Sequence, residues 1–112
     1  MLSADEIQKN RKILSDTDKS MVVMFKVLSD LNRYRIFRIL AEQPKLSVSA
    51  IADILNISLP LASQHIKILE RADLIQKERD GKKVFPKLRH QNPFVQAIIK
   101  SIQHALKINK SS

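Results

Sequence analysis

The chain has 112 residues, the size of one domain, and 44% of its side chains are apolar, which is enough to form a core. It contains no cysteine, so disulfides, thiolate metal ligands and thiol redox chemistry are excluded. The longest apolar run, residues 21–25, is too short to span a membrane. The first residues of the chain do not resemble a secretion signal. These features predict a cytoplasmic protein that does not enter membranes.

The formal net charge of +9 is concentrated away from the N-terminal part of the chain. Residues 1–30 carry five basic and five acidic side chains, whereas residues 81–112 contain no aspartate or glutamate. A domain this basic is expected to bind a polyanion, for which DNA and anionic lipid are both candidates. A lysine-rich surface that keeps the protein soluble would give the same charge, so charge alone does not identify the partner.

Three helices are predicted before residue 45. Ser3 begins a short helix within an N-terminal extension, residues 1–20. A second helix, over 19–29, is apolar on almost every side, so part of it is expected to pack against a second subunit. Asp30 is the predicted N-cap of a third helix, over 31–42. The side chains predicted to point inward from this helix are Leu31, Tyr34, Ile36, Phe37, Ile39 and Leu40.

Two short helices joined by a tight turn are predicted in residues 48–71. Ser47 is the predicted N-cap of the first, over 48–55, and Ser58 begins the second with Pro60 in its first turn. Helices in this arrangement form a helix-turn-helix. The helix that begins at Ser58 has apolar side chains on one face and hydrogen-bonding groups on the other, which suits it to reading base edges in a DNA groove.

A basic hairpin and a last helix follow. The hairpin, residues 75–88, has a predicted tight turn at Asp80-Gly81, and the cationic side chains around it suit a wing that contacts phosphates. These side chains are Lys77, Arg79, Lys82 and Lys83. Pro93 begins the last helix, over 93–108, whose broad apolar stripe is expected to pack against a second subunit with the helix over 19–29.

Three segments of the chain resemble the ArsR/SmtB-type repressors. Residues 25–40 resemble the opening of these proteins, residues 46–75 their helix-turn-helix and residues 77–85 their wing. The predicted fold is therefore a single domain, 1–112, that is mainly α with a small β-hairpin wing. The resemblance implies a winged helix-turn-helix that dimerises through its first and last helices. It also implies a bacterial or archaeal repressor that binds double-stranded DNA and is released by a ligand.

The resemblance assigns individual positions to DNA reading. Those on the second helix of the helix-turn-helix are Ser58, Leu59, Pro60, Ser63, Gln64 and His65, and those on the wing are Arg79, Lys82 and Lys83. Lys67 is added because its charge suits a phosphate contact. His65 has a second interpretation, as a helix residue that packs beneath the wing or is satisfied by a neighbouring backbone group. Asp73 stands where the family has glycine, and so is expected to adopt a left-handed cap conformation.

No cofactor or metal is predicted. Of the histidine-based metal site that some members of the family use, only His104 matches, and the position of a further ligand is taken by Lys107, which would repel a cation. His90 and His104 supply too few ligands for zinc, so a metal-responsive switch is a less favoured alternative. The effector is not identifiable from the sequence.

The sequence does not support a catalytic function either. Ser63 and His65 are two residues apart on a helix, so they point in different directions and cannot act as nucleophile and base. The prediction is a sequence-specific DNA-binding transcription regulator that is not an enzyme. Two alternatives stay open: a nonspecific architectural DNA-binding protein, and a winged-helix module that docks another protein.

Overall fold

The computed structural model describes residues 1–111, with side chains described to residue 108. Its helices and strands form a winged helix-turn-helix, and the predicted fold class is confirmed. The helices are α1 (Ala4–Arg11), α2 (Thr17–Leu28), α3 (Leu31–Glu42), α4 (Val48–Leu55), α5 (Leu59–Arg71) and α6 (Pro93–Ser111). The strands are β1 (Ile75–Asp80) and β2 (Lys83–Leu88). Within residues 1–111, no helix is long and apolar enough to cross a bilayer.

Side chains at the helix starts satisfy amide groups that the helices leave unpaired. Four of the N-caps predicted from the sequence accept a hydrogen bond from a backbone N–H three residues later. The acceptor and donor residues are Ser3 and Glu6, Asp30 and Arg33, Ser47 and Ala50, and Ser58 and Leu61. These four predictions of where helices begin are confirmed. The cap expected for α2 within residues 15–18 differs, because the side chain of its N-cap, Asp16, accepts no such bond.

The two helices of the helix-turn-helix end in the same way. Asn56 after α4 and Asp73 after α5 have φ angles of 56° and 60°, in the left-handed region. After α5, the amide of Leu74 donates to the carbonyl of Leu69 at 3.0 Å, which is the hydrogen bond of a Schellman motif. The predicted left-handed conformation of Asp73 is confirmed, and it turns the chain from α5 into the wing.

The core lies between α3, α4, α5, the base of the wing and the start of α6. Its buried side chains are Ile36, Phe37, Leu40, Ile51, Ile66, Leu69, Leu74, Ile75, Leu88, Phe94 and Val95. The prediction that Leu31 points inward is wrong, because its side chain is 59% exposed. Leu31 precedes Leu40 by nine residues, or two and a half helical turns, so the two side chains lie on opposite faces of α3.

The wing is an antiparallel pair in which Ile75 lies opposite Leu88 and Asp80 lies opposite Lys83. The turn is therefore formed by Gly81 and Lys82, one residue later than predicted. Gly81 has a φ of 63°, which suits the first position of a type II′ turn. Pro86 is tolerated within β2 because both strands of a two-stranded sheet are edges.

The apolar side chains of α2 are largely uncovered in the single chain. No residue of α2 is buried, and Met21, Val22 and Val23 are exposed. Phe25 contacts the chain's own core edge, where its ring meets that of Phe94 with centroids 5.3 Å apart. A groove between α2, α3 and α6 extends from this contact and is lined mainly by apolar side chains.

Candidate nucleic-acid interface

The inner face of α5 holds this helix against the rest of the domain. Ala62, His65, Ile66 and Leu69 are buried, and their spacing of three and four residues places them on one stripe. This stripe packs on α3, α4 and β1. The direction in which the outer face points is therefore fixed by the core.

The outer face of α5 carries most of the residues predicted to read DNA. Ser58, Leu59, Pro60, Gln64 and Lys67 are exposed. Ser63 is half-buried at the edge of this face. Amide and hydroxyl groups can hydrogen-bond base edges, and the half-exposed side chain of Leu59 can contact a thymine methyl group.

His65 lies on the inner face rather than on the outer one. Its side chain is 7% exposed, and its Nδ1 lies 3.2 Å from Nη1 of Arg33. This burial favours a packed position for His65 over direct contact with a base. Its hydrogen-bond partner, however, is a side chain of α3 and not the backbone group that the second interpretation named.

The tip of the wing is basic. Arg79, Lys82 and Lys83 are exposed around Gly81, as is Lys77 farther down β1. Their ammonium and guanidinium groups can contact phosphates, which bind such cations without regard to base sequence. The wing thus extends the polar surface of α5 with positive charge.

Two residues that the sequence analysis did not single out also contribute. Lys45, in the loop between α3 and α4, lies 3.2 Å from the carboxylate of Asp80 and so adds a cation at the tip of the wing. Arg33 is half-buried against His65, although it shares α3 with the exposed Arg35. Helical spacing could have separated Arg33 from Arg35, but the position of Lys45 depends on how the loop folds.

The histidines considered as metal ligands lie apart from this surface. His90 precedes α6, and His104 lies on α6 in a groove shared with Lys100 and Lys107. Among the side chains of residues 1–108, no three of histidine, cysteine, aspartate or glutamate gather closely enough to hold a metal ion. The lysines beside His104 disfavour a cation at this position.

Comparison with known proteins identifies the family. A family model described as a helix-turn-helix domain matches residues 28–78. The cadmium resistance transcriptional regulatory protein CadC of Listeria innocua is 32% identical over 82 residues, covering 72% of this chain and 69% of that protein. The chain belongs to the ArsR/SmtB family. As a member of that family, it is a DNA-binding transcription regulator.

Solved structures support the same assignment. The transcriptional regulator HlyU of Vibrio vulnificus is 29% identical to this ArsR/SmtB member, with a TM-score of 0.70 over 87% of this chain and 97% of that one. A homodimeric winged helix-turn-helix DNA-binding domain from Mycobacterium bovis has the same fold at 21% identity, with a TM-score of 0.67. The matched region covers 84% of this chain and 88% of the M. bovis chain.

Proposed function

We propose that this regulator is a homodimeric repressor that binds a pseudo-palindromic operator through α5 and the wing. The observation that carries the proposal is the exposed polar face of α5, continued by the cationic tip of the wing. The resemblance to repressors of the ArsR/SmtB type supports the direction of regulation. Because the operator lies in the cytoplasm, so does the protein, and its action is binding without a catalytic step.

The residues of α5 and the wing have different roles in this proposal. In the major groove, Ser58, Ser63 and Gln64 hydrogen-bond base edges, and Leu59 makes an apolar contact beside Pro60. Phosphate contacts come from Lys67 on α5 and from Arg79, Lys82 and Lys83 on the wing. Base contacts give the preference for one sequence, and phosphate contacts give affinity that falls steeply with salt.

The apolar surfaces of α2 and α6 support a dimer. Met21, Val22 and Val23 are exposed in one chain, and Ile99 and Ile102 of α6 are half-buried. A second copy would cover such surfaces, and the similar domain of M. bovis is homodimeric. Two-fold symmetry then sets the two α5 helices in major grooves about 34 Å apart, one turn of DNA, or a multiple of that distance.

Sedimentation and footprinting test this arrangement. The wild-type protein is expected to sediment as a dimer, to bind a duplex from the promoter region of its own gene as two chains, and to protect two separated groups of bases. A variant with Val22→Lys and Val23→Lys is expected to sediment as a monomer, whereas Lys19→Ala on the same helix should not change the dimer. One chain per duplex, with a single protected group, would contradict the proposal.

A further inference from the structure

His65 is an unusual member of the interior. Among residues 1–108, it is the one polar or charged side chain that is buried. It belongs to the inner stripe of α5 beside Ile66, directly after the exposed Gln64. Any group that holds His65 in place therefore also restricts the rotation of α5 and the direction in which Gln64 points.

Arg33 holds His65 and the end of α2 at the same time. Its Nε donates to the carbonyl oxygen of Val27 at 2.7 Å, while its Nη1 lies 3.2 Å from Nδ1 of His65. Val27 is in the last turn of α2, where carbonyl groups lack a partner within the helix. The backbone of Arg33 is itself fixed, since its N–H donates to Asp30 at 3.0 Å. One guanidinium thus connects α2, α3 and α5.

We propose that Arg33 is a positioning residue for DNA reading, which sets the rotation of α5 through His65 and so places Gln64 and Lys67 for the groove. This inference rests on the proposed function, because it concerns how well α5 reads its operator. Arg33 does not itself contact DNA. It acts through the histidine on the opposite side of the helix from the reading face.

The bridge between Arg33 and His65 assigns a role to each ring nitrogen of the histidine. Because a guanidinium has donors and no acceptor, Nδ1 of His65 is the acceptor at 3.2 Å, and the ring proton lies on Nε2. Asp30 also faces the pair, and its pKa is lowered chiefly by the hydrogen bond from the Arg33 N–H and further by the charge of the Arg33 guanidinium. The carboxylate thus offsets the charge of the guanidinium.

Arg33→Lys tests the bridge without removing the charge. A lysine ammonium lacks the planar fork, so it cannot bond Val27 and His65 in the same geometry. We expect Arg33→Lys to weaken binding to a duplex from the promoter region of the protein's own gene by about tenfold. A loss of this size corresponds to one hydrogen bond to a charged group. Binding to a scrambled duplex should change by less than about twofold, since phosphate contacts are kept. Arg35→Lys, on the exposed face of the same helix, is the matched control and should leave both affinities unchanged.

Two substitutions of His65 separate positioning from direct contact. In His65→Asn, the amide oxygen stands near the place of Nδ1 and can still accept from Arg33, so most of the sequence preference should be kept. In His65→Gln, the amide stands near the place of Nε2, so the preference should fall as it does in Arg33→Lys. The reverse pattern would mean that Nε2 contacts DNA and would overturn the proposal.

A measurement without DNA reports on the bridge itself. The ¹⁵N spectrum of the wild-type histidine side chains should show Nδ1 of His65 unprotonated and Nε2 protonated, and Arg33→Lys should shift both signals. Full sequence preference in Arg33→Lys, alongside a wild type that prefers its promoter, would overturn the inference and leave the proposed function standing. A wild type with no preference would instead contradict the proposed function, and the inference with it.

Discussion

Lys45 reaches from the loop between α3 and α4 to the tip of the wing, where its Nζ lies 3.2 Å from a carboxylate oxygen of Asp80. Both side chains are more than half exposed, at 57% and 60%. An ion pair this exposed contributes between about 0 and 1 kcal/mol to stability, so it does not hold the wing in place. Its importance lies in the charge that Asp80 places among the cations proposed to meet DNA.

Removing that charge should strengthen DNA binding. Asp80→Asn releases Lys45 for a phosphate and ends the repulsion between the carboxylate and DNA. We expect affinity for any duplex to rise by up to about tenfold at low salt and by less at high salt, because salt screens exposed charges. Fluorescence anisotropy in a salt series measures this change. Asp5→Asn in α1 makes the same change of charge away from the wing, so an equal gain in that variant would rule out a local effect.

The lysines at the turn of the wing should determine part of the salt dependence. Each phosphate contact contributes about 0.9 to the slope of log affinity against log salt. The variant with Lys82→Ala and Lys83→Ala should therefore lose roughly 1 to 2 from that slope. The control pair Lys9→Ala and Lys12→Ala removes the same charge from the N-terminal region. A slope that does not change in the wing variant would remove the wing from the interface.

Gln64 should carry sequence preference rather than general affinity. Its amide is exposed on the outer face of α5 and can make two hydrogen bonds to one base. Gln64→Ala should weaken binding to the operator by about 1 to 3 kcal/mol and leave binding to scrambled DNA nearly unchanged. Gln43→Ala, which removes an exposed amide beyond the end of α3, serves as the control. Equal losses on both duplexes would contradict the assignment of Gln64 to base reading.

Asp30 should stabilise the fold in a way that depends on pH. The backbone hydrogen bond from Arg33 is the main reason that the pKa of Asp30 is lowered. A lowered carboxyl pKa gives stability that is present above the unfolded-state pKa and is lost as pH falls through the folded-state pKa. Asp30→Ala should therefore cost about 1 kcal/mol near neutral pH and less in acid, below the ordinary carboxyl range.

Thermal unfolding of the Asp30 variant across pH checks this expectation against a neutral cap. Ser47→Ala removes the hydroxyl that caps α4, so its cost should not change between neutral and acidic pH. If the difference in Tm between wild type and Asp30→Ala were constant over the same range, the charge of Asp30 would not be the source of its capping stability.

Much of the fold follows from local signals in the sequence. Ser47 and Ser58 predict the helix starts because a capping hydroxyl acts within three residues, and the buried stripe of α5 follows from helical spacing. Gly81 predicts that the wing has a turn at this point, but it does not predict the register of the two strands. The register, in which Asp80 lies opposite Lys83, depends on how the strands align along their whole length. Leu31 shows the limit of reading apolar residues without their angular position.

Parts of the candidate nucleic-acid interface could not be predicted, because they depend on contacts between residues far apart in the sequence. Arg33 and His65 are 32 residues apart, and Lys45 and Asp80 are 35 apart, so tertiary packing alone brings each pair together. A resemblance to a family aligned His65 with reading positions but did not show which way its ring points. The exposed residues of α5, in contrast, could be predicted because the opposite face is apolar.

Fluorescence anisotropy at one fixed salt concentration tests sequence-specific DNA binding by this protein most directly. One labelled duplex carries the promoter region of the protein's own gene, and the other is a scrambled duplex of the same composition. A specific regulator is expected to prefer the promoter by about a thousandfold or more. Equal binding to both duplexes would contradict sequence-specific reading by α5, and binding to neither would contradict the assignment of this surface to DNA.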